Sequence, residues 1–384
     1  MKPKNILFLA SWYPSKNNPT LGNFVQRHAE AASIYSNVTA LFITSSDLVE
    51  EITIEKEEVN GVETVIAYYP KIRTKLPLVK SLDKYKMYMQ VSEQAFKSID
   101  KAFDLVHLNI AYPAGLFALW LKERMNINYV LSEHWTGYLP IKNDFSKLNY
   151  LQKWQHRKIF KNASAIFPVS SHLGDSLKKL GLIETYQVLP NVVNDELFYP
   201  AEEPPKRFRF IHISTFDDAH KNVSGMFRVF KKLQDDALDF DVHIVTEGPK
   251  EDVINLSETF GLEKERLIVD HALDQKEVAQ ALRSASCLVL FSNYETFSVV
   301  LAEAWMSGIP CIYSQCGGLT EINNPNIGIQ IKPKDEKQLY SSLLKMLKNK
   351  QSFAKDRILW FASNYTKSSV AKSINHLYDS IFFN

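Results

Sequence analysis

Charge of one sign is what this 384-residue chain most obviously lacks. Its 45 Lys and Arg stand against 43 Asp and Glu, leaving a formal net charge of +2, so no overall basic field argues for nucleic acid binding. Cysteine is scarce as well. Cys287, Cys311 and Cys316 are the only three, an odd count lying in or beside strand-like runs, which points to free thiols in a reducing compartment rather than a disulfide framework. Long apolar runs are missing too. The amino terminus, MKPKNILFLASWYP, is interrupted by Trp12 and Pro14 and reads as the first strand of a domain, not as a signal peptide or membrane span. There is no short-period repeat and no low-complexity segment, and no cluster of His, Cys or carboxylates has metal-site spacing. Asp239 and Asp241, in LDFDVHIV, precede a strand and read as a solvated turn, so no metal and no other cofactor is expected.

Hydrophobic residues make up 45% of the chain, enough for a large core divided between two domains. In the first half, NILFLAS, VTALFIT, LVHLN, YVLSEH and AIFPVS alternate with amphipathic stretches, the pattern of a parallel sheet covered on both faces. YPAEEPPKR, from Tyr199 to Arg207, is the best linker. A second alternation follows it: FRFIHIS, VHIVTEG, RLIVDHAL, CLVLFS, PCIYS and GIQI. The expected organisation is α/β, with Rossmann-like doubly wound domains over 1–199 and 200–365 and a cleft implied between them. Residues 366–384 form a helix expected to pack back, on the first domain.

The most informative stretch is ETFSVVLAE. Glu295 stands in the loop after the CLVLFS strand and Glu303 inside the following helix, and ligands of parallel sheets bind beyond the carboxyl ends of strands. Glu303 falls among Val299, Val300, Leu301, Ala302 and Ala304, so its carboxylate needs a hydrogen-bonding partner. A sugar or ribose diol would serve, and the free N–H groups of the helix start would favour a diphosphate. The blander reading is a capping Glu followed by a salt-bridged Glu.

The longer run ETFSVVLAEAWMSGIPCIYSQCGGLTEI decides between them. It holds both glutamates, a helix end at Ser307, Gly308 and Pro310, and the pair Gly317 and Gly318 followed by Glu321, and it resembles the signature of retaining family 4 glycosyltransferases, which have the GT-B fold. With ASWYPSKNNPTLGNFV, SEHWTGY and PNVVNDELFYP the resemblance runs nearly end to end. It implies metal-independent transfer of a hexose-type sugar, with retention, from a nucleoside diphosphate sugar to a hydroxyl of a glycan or lipid-linked glycan, as in polysaccharide biosynthesis. Glu303 would bind the ribose hydroxyls, Glu295 the transferred sugar, and backbone N–H groups around Phe297, Ser298 and Val299 the diphosphate. Lys221 matches the lysine that neutralises the leaving group, and His134 a histidine that bonds the donor sugar; the blander reading of His134 is a structural histidine whose tautomer Glu133 merely holds. Gly22 matches one of two glycines that let the chain approach donor or acceptor.

The family's usual arginine after the FIHIS strand is absent. Ser214, Thr215 and Phe216 stand there, and either Thr215, His220 or a backbone group substitutes or turnover with a diphosphate leaving group is weaker than in the family. That gap keeps a non-catalytic sugar-nucleotide-binding partner open as an alternative, and the architecture is also that of a sugar-nucleotide epimerase. Finally, Lys71, Arg73, Lys75, Lys80, Lys84 and Lys86, interleaved with Tyr85, Met87 and Tyr88, face a single Asp83. The stretch reads either as a solvated face or as peripheral contact with an anionic membrane, which would put the chain in the cytoplasm at the inner face of the plasma membrane.

Overall fold

The computed structural model describes residues 3–73, 77–348 and 353–382, the side chains of 77–80 excepted. It divides into two compact units, one of residues 1–192 and 367–384 and one of residues 193–366.

Strands of the first unit are β1 (Asn5–Ala10), β2 (Asn37–Ser46), β3 (Thr53–Val59), β4 (Val62–Pro70), β5 (Leu105–Asn109), β6 (Tyr129–Glu133) and β7 (Ile166–Pro168). They form one sheet in the order β3-β4-β2-β1-β5-β6-β7, parallel except for β3, which is antiparallel to β4. β5 and β6 are buried at every position, as strands covered on both faces must be. The helix Lys367–Phe382 packs on the helix Asn23–Ala32 and buries Val370, Ala371, Ile374, Leu377 and Tyr378, so the carboxyl terminus completes the core of the first unit. His107 of β5 bridges the Tyr378 hydroxyl at 2.6 Å and the Ser132 hydroxyl at 2.7 Å.

The second unit contains β8 (Arg209–Ser214), β9 (Asp241–Thr246), β10 (Leu267–His271), β11 (Cys287–Leu290), β12 (Cys311–Ser314) and β13 (Gly328–Ile331). Their order is β10-β9-β8-β11-β12-β13, and the strand pairs are parallel. Each unit is a Rossmann-like doubly wound domain. The chain moves outward one way from β1 and from β8, then returns to the other side at β5 and β11, so each sheet has a topological switch point: β1/β5 in the first and β8/β11 in the second. The loops beyond these strands diverge and leave a crevice for a ligand.

Asp241 corrects the solvated-turn expectation, whereas Asp239, its side chain 80% exposed, keeps it. Arg207 contacts Asp239 at 2.7 Å and Asp241 at 2.9 Å, and Asp241, nearly buried at the start of β9, also lies 3.6 Å from Arg209. They are ion-pair partners that hold the amino edge of the second sheet. Among the described residues, no group of three or more His, Cys, Asp and Glu is arranged to hold a metal ion, and no helix is long and apolar enough to cross a membrane.

Candidate active site

The loops after β8 and β11 carry the charged groups at the second switch point. After β8 the chain turns through a four-residue helix, Asp218–Lys221, which ends on Asn222 in the left-handed conformation. After β11 it passes Ser292 and Asn293 before the helix Val299–Met306. Asn293 joins the two loops: its N–H donates to the His220 carbonyl at 2.8 Å and its side-chain amide to the Ala219 carbonyl at 3.0 Å. This bracing sets Lys221 against Glu295. The Lys221 ammonium lies 2.6 Å from Glu295 Oε1, with side chains 13% and 7% exposed. The Ser292 hydroxyl donates to the same oxygen at 2.7 Å. A carboxylate so enclosed requires compensation, and here it has a cation and a hydroxyl. An ammonium has three donors, so the pair leaves Lys221 two more.

Gly317 fixes the backbone beneath this pair. Its φ is +52°, and a Cβ there would fall 1.8 Å from the Glu295 carbonyl oxygen. The Gly318 N–H donates to that carbonyl at 3.0 Å. Gly317 therefore lets the turn after β12 close directly on Glu295, where the Gly318 N–H holds it, a long-range contact that spacing alone does not disclose.

Ser298 precedes the Val299–Met306 helix at φ +62° and provides no side-chain cap. The first N–H groups of a helix have no intrahelical acceptor and carry the positive end of its dipole, so this end faces the crevice ready for an anion. Phe297 turns the other way, its ring 5.4 Å from that of Tyr365, which leaves its backbone as the part able to meet a ligand. Glu303, buried in the next turn, also engages a partner.

At the position of the missing arginine, Thr215 is exposed and Phe216, at φ +61°, sets its ring 6.2 Å from Phe227. His212 shapes this turn. Its Nδ1–H donates to the Val289 carbonyl at 2.8 Å, its Nε2 accepts from the Ser214 hydroxyl at 2.7 Å, and Ser214 Oγ accepts the Phe216 N–H. Burial lowers the His212 pKa to about 4, so the ring is neutral, as an Nε2 acceptor requires. Ser292, His212 and Ser214 are site residues that the sequence did not reveal, because each acts through a fold-dependent contact.

Beside the first switch point, His134 follows β6, the strand next to β5. Its ring packs 4.6 Å from Phe24 and 5.7 Å from His28, and its buried Nε2 has no protein partner. Burial, reinforced by His28 and His107, holds its pKa well below the usual histidine value. Glu133 does not hold the ring, contrary to expectation: Oε1 accepts the N–H groups of His134 and Trp135 at 2.8 Å each and Oε2 that of Ala111 at 3.0 Å. The carboxylate staples the ends of β5 and β6 together. Burial raises its pKa to about 7 against these three bonds. Gly22, at φ +72°, abuts its own chain: a Cβ would lie 2.5 Å from the Trp12 carbonyl carbon and oxygen. Its bareness serves the closure of the loop after β1.

The second of the two doubly wound domains carries an acidic, lysine-paired site at its switch point, and comparison with known proteins identifies the family. Residues 194–358 match the family model described as Glycosyl transferases group 1, and residues 53–197 match Glycosyltransferase Family 4. The chain belongs to the family 4 glycosyltransferases and has the GT-B fold. It is 23% identical over 402 aligned positions, 98% of each chain, to the putative teichuronic acid biosynthesis glycosyltransferase TuaC of Bacillus subtilis (strain 168). Among solved structures it resembles the sucrose-phosphate synthase of Thermosynechococcus elongatus, with TM-score 0.75, 16% identity and 99% of both chains covered. It also resembles Anabaena HepE, solved in complex with UDP and glucose, with TM-score 0.73, 14% identity, and 98% of this chain and 100% of that one covered.

Proposed function

We propose that this glycosyltransferase moves a hexose-type sugar, with retention, from a nucleoside diphosphate sugar to a hydroxyl of a glycan or lipid-linked glycan. The observation that carries the reading is the buried Glu295–Lys221 pair beside an uncapped helix start at a switch point. Glu303 takes the ribose hydroxyls. The N–H groups around Phe297, Ser298 and Val299 receive the diphosphate, and the exposed hydroxyl of Thr215 borders it. Lys221 turns its remaining donors to the same group. Glu295 orients the sugar, and His134, whose Nε2 lacks a protein partner, supplies a hydrogen bond to it. Gly22 keeps the loop after β1 closed and serves the donor only in this indirect way.

In the step itself the bond between the anomeric carbon and the phosphate oxygen breaks, and its electron pair leaves with the diphosphate. The acceptor oxygen forms the new bond on the same face, and its proton passes to the leaving phosphate oxygen. Preorganised positive charge at the departing oxygen is the main electrostatic contribution available, here from Lys221 and the helix dipole, without a metal ion. The test is product analysis with a glycan acceptor: the α or β configuration of the donor retained in the product, at a rate unaffected by EDTA, supports the reading. Inversion, or dependence on a divalent ion, contradicts it. Accumulation of a C2-epimerised sugar nucleotide without acceptor would mark an epimerase, and tight donor binding without transfer a non-catalytic partner.

A further inference from the structure

We propose that the first turns of the helix Tyr150–Asn162, with the loop before it, dock on an anionic lipid bilayer. The inner face of this helix is already satisfied by burial of His156, Ile159 and Phe160. Its opposite side is apolar without need: Tyr150 is 83% exposed, Leu151 58% and Trp154 49%, and Ile141 in the preceding loop is 60% exposed. Isolated exposed apolar residues are ordinary, but a group with two aromatic rings is the mark of an interaction surface.

The frame presenting these side chains is fixed. Asn149 and Gln152 form a reciprocal capping box, Lys153 Nζ donates to the Ser146 carbonyl at 2.6 Å, and Lys147 Nζ to the Lys142 carbonyl at 3.2 Å. Around the apolar group positive charge is in excess, although Lys158, beside the Trp154 ring, is paired with Glu123 at 2.7 Å. Residues 142–161 hold six Lys and Arg against Asp144 alone, and Asp144 is paired with Lys147. Arg157 and Lys161 continue the exposed stripe along the helix.

This composition favours a bilayer over a protein. Lysine is depleted at protein interfaces, whereas Trp and Tyr gather at the membrane–water boundary and clustered basic residues are drawn to anionic headgroups. Topology adds a second argument. The helix starts after the carboxyl end of β6, the end that carries His134, and so does the helix Pro77–Lys97 after β4. The helix Gly115–Met125 packs against both. Leu82 and Tyr85, exposed beside Lys84 and Lys86, therefore belong to the same helical layer. Of the expected basic stretch, Lys71 pairs with Asp47, while Lys75 and the side chain of Lys80 lie outside the described residues. Docking does not depend on the transferase mechanism. That it brings a lipid-linked acceptor to the carboxyl end of the sheet rests on the function proposed above.

The test is co-sedimentation of the full chain with phosphatidylcholine vesicles, with and without phosphatidylglycerol. Wild type should sediment with the anionic vesicles, and Tyr150→Ser/Leu151→Ser/Trp154→Ser should lower the bound fraction about tenfold. Arg157→Glu/Lys161→Glu should lose the preference for phosphatidylglycerol. Nucleoside diphosphate binding, unchanged in both variants, shows that they are folded. Wild type that ignores anionic vesicles, or a triple variant that binds like wild type, overturns the proposal. So does loss seen only in Lys84→Glu/Lys86→Glu, or a triple variant whose sole change is lost self-association in solution. Failure of nucleotide binding in wild type with vesicle binding intact would refute the transferase reading and leave docking standing.

Discussion

The two switch points solve the problem of buried polarity in opposite ways. In the second unit the charges are kept and paired: Glu295 meets Lys221 and the Ser292 hydroxyl. In the first, burial holds histidines neutral, and one of their nitrogens, Nε2 of His134, is left without a partner. A charged pair can redirect its donors to an arriving diphosphate, whereas a neutral imidazole in an apolar wall offers one directional hydrogen bond to a sugar. The contrast teaches that the second unit keeps paired charge at its strand ends while the first keeps neutral, directional donors and acceptors.

Breaking the charged pair should have the largest effect. Lys221→Ala leaves Glu295 buried without its cation, with only the Ser292 hydroxyl beside it, a cost of about 3–5 kcal/mol. It should lower kcat by about 10³-fold through loss of charge stabilisation, measured by donor hydrolysis and transfer assays alongside thermal denaturation. A Lys221→Ala enzyme with normal kcat would dissolve the contrast.

Acid separates the units next. His28 and His156 have pKa values lowered to about 4 and His107 to about 3, all by burial, and His134 is lowered too. Lowered folded-state values mean that the unfolded chain binds more protons below its own pKa of 6.5, so stability is full above pH 6.5 and lost as pH falls toward 4. For His28 and His156, each lowered to about 4, the loss by pH 4 is about 3 kcal/mol apiece. Glu133 opposes them: its raised value, about 7, makes its burial costliest above pH 7, and that cost is relieved on acidification. In the second unit His212 and His243 are lowered, against four such histidines in the first. Hydrogen exchange at about pH 5 should therefore show the first unit opening before the second; simultaneous loss of protection would contradict this.

Orientation should be worth less than charge. His134→Ala should reduce kcat by about 10–100-fold, near 2 kcal/mol, with nucleoside diphosphate affinity unchanged. Because the ring stays neutral, the wild-type rate should show no histidine ionisation between pH 6 and 8. Ser292→Ala, which removes one bond from a carboxylate still paired with lysine, should cost about 1 kcal/mol, read as a several-fold fall in kcat.

Strands and domain type were legible because parallel strands covered on both faces must read as apolar runs: β5, LVHLN, and β6, YVLSE, are examples. The glutamates were singled out through the extended motif and Lys221 through a separate match within DDAHKNVSG. Their partnership was not, since 74 residues separate Lys221 from Glu295 and only the β8–β11 pairing brings them together. The same holds for Gly317, whose need to be glycine comes from the Glu295 carbonyl. Asp241 was misread because local sequence placed it before a strand, while its fate depended on Arg207 and Arg209 lying beside it. Glu133 looked like a tautomer holder from adjacency, yet the ends of β5 and β6 offered its carboxylate three backbone N–H groups.

The most direct test of the donor site is calorimetric titration of the full chain with UDP, GDP, ADP and CDP, repeated on Glu303→Ala. The account predicts selective binding of one nucleotide, abolished or strongly weakened by the substitution. Absence of binding to all four, or equal binding by the Glu303→Ala protein, would contradict it.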